Sequence, residues 1–220
     1  MDTTLHRDDP DKEPLAGNTR VTREDWVNTA HEVLIAHGVE QVKILGLAER
    51  MSVSRSSFYW YFKSRQDLLD VLLDEWMSTN TAVVIEAAKT PAPTITQAVC
   101  NVFAGFVDPA RFNTKLDFAI RDWARRDAKV RAVLERSDAQ RIGALEAMFA
   151  RFAYAPDEAL ARARIAYYMQ IGYNDADLDE PMATRLILLP EYLHAYTGVR
   201  PLPEEVERLR DWSKTLAAPN

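Results

Sequence analysis

The stretch that decides the fold is residues 47–62, which read LAERMSVSRSSFYWYF. In and just before its first half, apolar residues recur at the i, i+3, i+4, i+7 spacing of a buried helix face. They are Ile44, Leu47, Ala48 and Met51. A short polar turn follows, and Ser54 is a good N-cap for a second helix that begins at Arg55. The pattern predicts a helix-turn-helix.

The predicted second helix has two chemically different faces. Its inner face carries Phe58, Tyr61 and Phe62, and its outer face carries Ser56, Tyr59, Trp60 and Lys63. The inner face can pack against a core, while the outer face offers hydroxyl groups, aromatic rings and a cation to a DNA major groove.

Positive charge is concentrated at this motif. Between residues 43 and 65 five cations stand against one acid, a local net charge of +4 in a chain whose formal net charge is −6. The cations are Lys43, Arg50, Arg55, Lys63 and Arg65, and the acid is Glu49. Such cations suit contacts to DNA phosphates. The alternative is an ordinary pair of amphipathic helices with a solvated polar face.

The order of motif elements resembles the N-terminal DNA-binding domain of the TetR family of transcriptional regulators. The elements are Val53-Ser54, the aromatic run at 58–62, Lys63-Ser64-Arg65 and Leu68-Leu69. The resemblance covers about residues 20–69, because Thr22 also begins a helix upstream and Gly38 ends it.

The resemblance implies roles for individual residues. It places Thr22 and Tyr59 at phosphates, and Arg65 at the position of the family's phosphate-binding lysine. It places Arg55, Ser56, Ser57 and Trp60 at or near base edges. Together with the cations and the cap, the predicted DNA-binding set is Thr22, Lys43, Ser54, Arg55, Ser56, Ser57, Tyr59, Trp60, Lys63 and Arg65.

Three positions depart from the family's pattern. Ser52 stands where the turn usually has glycine, and a non-glycine residue at positive φ costs about 1 kcal/mol or more. Lys43 lies in the region where a capping Ser or Thr often opens the second helix; it can meet a phosphate but cannot cap. Trp60 replaces a common histidine, which suggests an unusual operator sequence or contact with a thymine methyl group.

Composition favours helices throughout. The chain has 220 residues, 47% of them hydrophobic, only seven glycines, and few strand-like alternations. We predict an all-α fold in which an N-terminal three-helix helix-turn-helix domain is linked by a long fourth helix to a C-terminal helical bundle, with about nine or ten helices in all. The single Cys100 excludes an internal disulfide, which fits a reducing cytoplasm. No apolar run reaches the roughly 20 residues that a membrane helix needs, so we expect no membrane partner.

Helix-breaking residues and changes in composition along the chain predict three parts. They are a disordered leader over 1–19, a DNA-binding domain over 20–66 and a ligand-binding and dimerisation domain over 67–220. The fourth helix should extend from Ser64 to about Lys89 and should connect the last two parts mechanically. Later helices are predicted over 95–107, 113–126, 156–173 and 182–197, the last kinked at Pro190, with one or two helices over 127–152 and a short final helix from Pro203.

The helices over 156–173 and 182–197 are apolar on more than one side, which predicts a homodimer through them; they could instead form the core of a monomer. The C-terminal part is rich in aromatic residues, some of which should line a pocket between helices. The candidates are Trp76, Phe106, Phe118, Trp123 and Tyr168.

Enzyme chemistry finds little support in the sequence. The four histidines lack partners at metal-ligand spacing, and the acidic run at 174–180 lacks the glycine and terminal glutamate of a calcium loop. We therefore expect no catalytic residues, metal or cofactor.

The predicted function is a cytoplasmic regulator, most simply a repressor, that binds a palindromic operator in double-stranded DNA as a homodimer. A small-molecule effector, not named by the sequence, would release it. The alternative is a helical small-molecule-binding dimer with weak or lost DNA binding.

Overall fold

The computed structural model describes residues 21–176, 178 and 180–216, which fold into helices joined by short connections, without a β-strand among them. The all-α prediction is confirmed. The helices are α1 (Arg23–His37), α2 (Ile44–Arg50), α3 (Arg55–Phe58), α4 (Arg65–Trp76), α5 (Ala82–Lys89), α6 (Ile95–Val107), α7 (Thr114–Ala124), α8 (Ala128–Ala150), α9 (Pro156–Asp175), α10 (Met182–Arg185), α11 (Leu189–Thr197) and α12 (Pro203–Leu216). The predicted leader over 1–19 lies outside the described residues.

Local capping chemistry sets the ends of α1. The Thr22 hydroxyl accepts a hydrogen bond from the backbone N–H of Asp25 at 3.2 Å, and the Asp25 carboxylate accepts one from the backbone N–H of Thr22 at 2.7 Å. This reciprocal pair satisfies two of the backbone donors that a helix start leaves open. The helix ends at Gly38, whose φ of 78° few other residues adopt without strain. Both predicted ends are confirmed.

One hydrophobic core joins the helix-turn-helix to α4, α7 and α8. At its centre Trp26 of α1 meets Phe58 of α3 edge to face, with ring centroids 5.1 Å apart, and Phe58 stacks on Phe62 at 5.2 Å. Leu116 and Trp123 of α7 belong to the same core. The core of the first three helices therefore extends across the predicted domain boundary at residue 66.

The predicted fourth helix is continuous but not uniform. It comprises α4, a π-helical turn over Met77–Thr81, and α5. Asn80 fixes this turn to the start of α7, because its side-chain amide donates to the Asn113 carbonyl at 2.9 Å and its side-chain oxygen accepts from the Asn113 N–H at 3.1 Å. Such π-helical insertions are rare and often lie at functional positions.

A second core occupies the other end of the molecule, between α5, α6, α8, α9, α11 and α12. The helix predicted over 182–197 is in fact two helices, α10 and α11, separated by a turn. Pro190 lies in the first turn of α11 rather than at a kink. The reason is that proline lacks an N–H group and has its φ fixed, so the first turn of a helix accommodates it without losing a hydrogen bond.

A network of hydrogen bonds around a buried carboxylate, Asp117 of α7, connects four helices. It accepts hydrogen bonds at 2.9 Å from the Trp76 indole of α4, from Arg141 of α8 and from Arg121 of α7 itself. Arg121 also bonds Asp138 of α8 and the Tyr167 hydroxyl of α9. The end of α4 is thereby tied to α7, α8 and α9.

The network holds Arg141 without any exposure to solvent. Its guanidinium lies over the Trp76 ring at 5.1 Å and the Phe112 ring at 5.6 Å, measured from Cζ to ring centroid. Burial by itself would raise the pKa of Asp117, but the neighbouring Arg141 and Arg121 guanidinium groups and the hydrogen bonds they donate outweigh it, so this pKa lies below its usual value.

We predict that Ser52→Gly stabilises the protein by about 1 kcal/mol, because Ser52 has a φ of 55° and glycine adopts this conformation without steric cost. Urea unfolding measures the change. Ala36→Gly, at an exposed position in α1, is the control and should destabilise, because glycine there only adds chain entropy to the unfolded state. A lower midpoint for Ser52→Gly would contradict the assignment of strain to this turn.

We predict that Asp117→Asn destabilises the protein by about 3–5 kcal/mol at neutral pH, because it leaves the fully buried Arg141 without its counter-ion and removes one of the two carboxylates that pair with Arg121. The depressed pKa means that Asp117 contributes stability above about pH 4, the ordinary range of an aspartate, and that this contribution is lost as pH falls through the folded-state value. Urea unfolding from pH 7 to pH 3 should therefore show a weaker acid loss in the variant.

The control for this prediction is Asp122→Asn on the same helix. Asp122 is exposed and pairs with Arg126 at only 4.0 Å, so its replacement should change stability by less than about 1 kcal/mol. Equal losses of stability in the two variants would show that the buried network stabilises the protein no more than an exposed ion pair does.

Candidate nucleic-acid interface

The turn between α2 and α3 sets the angle of the motif. Ser52 adopts a φ of 55°, the left-handed conformation predicted for this position. The Ser52 N–H bonds the Glu49 carbonyl at 3.1 Å, and the Val53 N–H bonds the Ala48 carbonyl at 3.0 Å, so the last carbonyls of α2 are satisfied. The chain then enters α3 at Ser54, whose hydroxyl pairs with that of Ser56 instead of capping the helix.

The recognition helix is shorter than predicted. After Phe58 the backbone continues in tight i→i+3 turns, with the Tyr59 N–H bonded to Ser56 at 3.2 Å and the Tyr61 N–H bonded to Phe58 at 3.0 Å. Lys63 lies outside the helix. The reason is the next helix: the Lys63 N–H bonds the Asp67 carboxylate at 2.8 Å, and the extended residue Ser64 caps α4, as predicted.

The predicted outer face is nevertheless exposed. Tyr59 exposes 49% of its surface and Trp60 exposes 61%, values far above those of aromatic residues in a core. Arg55, Ser56 and Lys63 are exposed as well. Arg55 donates to the Tyr59 hydroxyl at 3.3 Å, which aligns a cation with a hydroxyl group on this surface.

Two members of the predicted set have other contacts. Ser57 is buried, and its hydroxyl donates to the Ser54 carbonyl at 2.7 Å, so the structure does not place it at a base edge. The Arg65 guanidinium donates from Nε to the Val42 carbonyl at 2.6 Å and from Nη2 to the Val39 carbonyl at 2.5 Å. Arg65 therefore holds the turn before α2, which the sequence pattern gave no means of foreseeing.

The remaining predicted positions flank α3. Thr22 is exposed, although its hydroxyl also donates to Asp25 at 2.7 Å. Lys43 is exposed at the N-cap of α2, without a side-chain cap, as expected for lysine. Within the described chain, none of the five cations between residues 43 and 65 forms an ion pair, and apart from Arg65 they remain available to an external anion.

Residues 27–72 match the sequence model of the bacterial regulatory proteins of the tetR family. The helix-turn-helix part of the chain is therefore of the TetR type. A tetracycline repressor protein of class C from Escherichia coli is 36% identical over 61 residues, which cover 28% of each chain. An HTH-type transcriptional regulator from Saccharopolyspora erythraea is 35% identical over 54 residues, 24% of this chain and 23% of the other. The chain thus spans about a quarter of the length of these curated relatives.

Solved structures extend the likeness in fold to the remainder of the chain. AmtR of Mycobacterium smegmatis is similar with a TM-score of 0.61 and 16% identity, covering 94% of this chain and 100% of its own. The reduced form of NemR from Escherichia coli gives 0.57 and 16%, covering 83% and 99%. Beyond the helix-turn-helix, the chain thus shares the helical fold of these structures.

A cavity of about 90 Å³ lies between α6, α9 and α11. Of the predicted pocket residues, Phe106 lines it. The others do not: Trp76 bonds Asp117, Trp123 is buried in the first core, Phe118 is half-buried on α7, and Tyr168 is 46% exposed on α9. Aromatic content alone could not show which of the two cores each ring enters.

The cavity-lining residues that sequence reasoning missed lie on α6, α9, α10 and α11. They include Phe103, Tyr173, Arg185, Tyr192 and Tyr196.

Within the part of the chain that the structure describes, no helix is long and apolar enough to cross a membrane.

Proposed function

We propose that the protein is a repressor that binds a palindromic DNA operator as a homodimer and is released by a small-molecule effector. The observation that carries the DNA-binding part is the exposed surface formed by α3 and the turn over 59–63 that follows it. In a chain of net charge −6, this surface groups aromatic side chains, hydroxyl groups and cations that form no ion pair with any described residue. A helical small-molecule-binding protein that had lost DNA binding would have no need for such a surface.

The proposed contacts divide by chemistry. Lys43 and Lys63 contact phosphates through charge, and Thr22 and Tyr59 contact them through hydroxyl groups. The proposed contacts to base edges are made by Arg55, Ser56 and Trp60, which lie on the exposed side of α3 or of the turn that follows it. Trp60 is 61% exposed and has the area to contact thymine methyl groups. Ser54, the N-cap residue of α3, is the remaining proposed contact.

The homodimer is proposed from an exposed apolar face on α9. Ile165 exposes 56%, Met169 49% and Tyr168 46% of their surface, and their spacing puts them on one side of the helix. The neighbouring α8 exposes Gly143 and Ala147, small residues that allow another helix to approach closely. A twofold dimer presents two α3 helices to two half-sites of a palindrome.

Apolar side chains are also exposed in the second predicted dimer segment, 182–197. Ile187 exposes 67%, Leu188 51% and Tyr192 39% of their surface. We propose that this segment contributes to the edge of the interface, with α9 at its centre.

Repression and release are proposed from the family and from the connection between the two ends of the molecule. One relative is named as a tetracycline repressor. The cavity between α6, α9 and α11 offers an effector site, and the α4–α5 helix joins the second core to the DNA-binding helices. By linkage, a hundredfold loss of operator affinity requires about 2.7 kcal/mol of preference of the effector for the DNA-free conformer.

We predict that the purified protein selects a palindromic fragment from genomic DNA, and that gel-shift titration separates two classes of variant. Lys63→Ala should weaken all sequences alike and reduce the salt dependence by about one phosphate contact, because it removes charge only. Trp60→Ala should change which base is preferred, because the ring meets base edges.

Arg131→Ala provides the matched control for these variants. Arg131 is an exposed cation on α8, paired with Glu135 at 3.0 Å and remote in sequence from the motif. Its replacement should leave both affinity and preference unchanged. Wild-type affinity in both motif variants would remove α3 from the interface and leave the non-DNA-binding alternative.

We predict that Ile165→Arg converts the dimer to a monomer, because it places a charge at the centre of the proposed apolar interface. Sedimentation equilibrium measures the mass. Leu45→Arg is the control, since Leu45 is 57% exposed on α2, away from α9, and its replacement should leave the dimer intact. A monomeric wild-type protein, or a dimeric Ile165→Arg variant, would refute the interface.

A further inference from the structure

The cavity between α6, α9 and α11 is apolar and aromatic apart from a few polar groups at one side. Valine, leucine, phenylalanine and tyrosine side chains form most of its wall. The polar exceptions are Gln170, Glu180 and Arg185. Gln170 donates to Asn174 at 2.8 Å, and Glu180 accepts a hydrogen bond from the Tyr173 hydroxyl, so both of these have a partner within the chain.

Arg185 is the exception among the three. Within the described residues its guanidinium forms neither a hydrogen bond nor an ion pair, and Glu180 is not within 4.0 Å of it. The Arg185 Cζ lies 4.2 Å from the centroid of the Tyr173 ring and 5.4 Å from that of the Phe103 ring. The aromatic contacts occupy the flat faces of a guanidinium and leave the N–H donors at its edge for another acceptor.

The electrostatics of the site agree with this geometry. Burial lowers the pKa of Arg185, and the nearby tyrosines and Glu180 do not compensate for it. A half-buried cation that gives up water without gaining a counter-ion is held at a cost, and an incoming anion removes that cost.

We propose that the effector is a small monocarboxylate with an apolar body, whose carboxylate forms a paired hydrogen bond with the edge of the Arg185 guanidinium. The proposal rests on the proposed function, because it identifies the chemical class of the molecule that would release the DNA. A carboxylate matches the two parallel donors of arginine in geometry as well as in charge. The apolar wall and the cavity volume of about 90 Å³ suit one aromatic ring or a short branched chain.

The neighbouring Glu180 carboxylate should weaken the binding of an anion, which provides a second test. The carboxylate is repelled by a bound anion and competes with it for Arg185. Glu180→Gln should therefore bind small carboxylates more tightly than the wild type, which a purely hydrophobic cavity would not do. A cationic or neutral ligand would gain nothing from this substitution.

The test uses calorimetric titration of the full-length protein with benzoate, phenylacetate and isovalerate, each compared with its primary amide. We expect at least one acid to bind saturably and at least tenfold more tightly than its amide, because the amide keeps the shape and loses the charge. Arg185→Gln should abolish this difference, and Arg185→Lys should restore only part of it, because lysine lacks the paired donors.

Arg200→Gln is the matched control. Arg200 follows α11 and pairs with Glu191 at 2.6 Å, and it does not line the cavity. This variant should bind the acids like the wild type, and thermal unfolding of all variants should show that each is folded. The proposal is overturned if no acid binds, if acids and amides bind alike, or if Arg185→Gln retains the preference for acids.

Operator binding is measured separately, by gel shift without any acid. A protein that binds its operator but none of the acids refutes the carboxylate proposal and leaves the regulator intact. A protein that binds an acid through Arg185 but selects no DNA refutes the regulator and leaves the acid site standing.

Discussion

The interaction on which the rest of the structure depends is the cluster of hydrogen bonds around the buried Asp117 carboxylate. One arginine of this cluster, Arg141, is fully buried, and such an ion contributes little net stability because its desolvation offsets its attraction to the carboxylate. The cluster instead fixes the position of α4 relative to α7 and α8. The Trp76 indole has a single hydrogen-bond donor and donates it to Asp117, so the end of α4 has one defined place against α7 and α8. A purely apolar contact would allow α4 to slide, since hydrophobic attraction has no direction.

This placement explains why the π-helical turn begins directly after Trp76. A π turn shifts the helical register by one residue, so the residues on its two sides can face partners that a uniform α-helix could not satisfy together. Trp76 bonds Asp117 on one side, and Asn80 bonds Asn113 on the other. Both partners belong to the start of α7, whose Leu116 and Trp123 pack into the core of the DNA-binding helices. The helix that joins the two ends of the molecule is therefore fixed at its midpoint and not only at its ends.

Sequence reasoning succeeded where the determining interaction is local. Thr22, Gly38 and Ser64 set helix ends through contacts within three or four residues, and such contacts are visible in the order of residue types. The positive φ at Ser52 was expected for another reason, the resemblance to a family whose turn usually has glycine at this position.

Contacts between residues distant in sequence determined the features that sequence patterns did not predict. Arg65 reaches carbonyls more than 20 residues away, and nothing in the order of residues distinguishes that contact from a phosphate contact. Phe106 and Trp123 both lie on apolar helix faces, yet one enters the second core beside the cavity and the other enters the first. Lys63 lies outside the recognition helix, and its N–H bonds Asp67, which belongs to the next helix. In each case the outcome depends on packing between helices, which period and capping patterns do not encode.

The arrangement of α9 brings the proposed effector site and the Asp117 cluster into contact with the same helix. Ala166 and Gln170 line the cavity, while Tyr167 between them is buried and donates its hydroxyl to Asp138 at 2.6 Å. Tyr167 also accepts from Arg121 at 2.8 Å, and Arg121 in turn holds Asp117. An effector that displaces α9 by even a few tenths of an ångström must lengthen these charged bonds or carry Asp117 with it. Because Asp117 holds Trp76, the second response moves α4, and with it the helices that face DNA. The buried network would thus transmit effector binding for the same reason that it stabilises the fold: its hydrogen bonds are short, directional and shielded from water, so they cannot be exchanged for solvent when α9 moves.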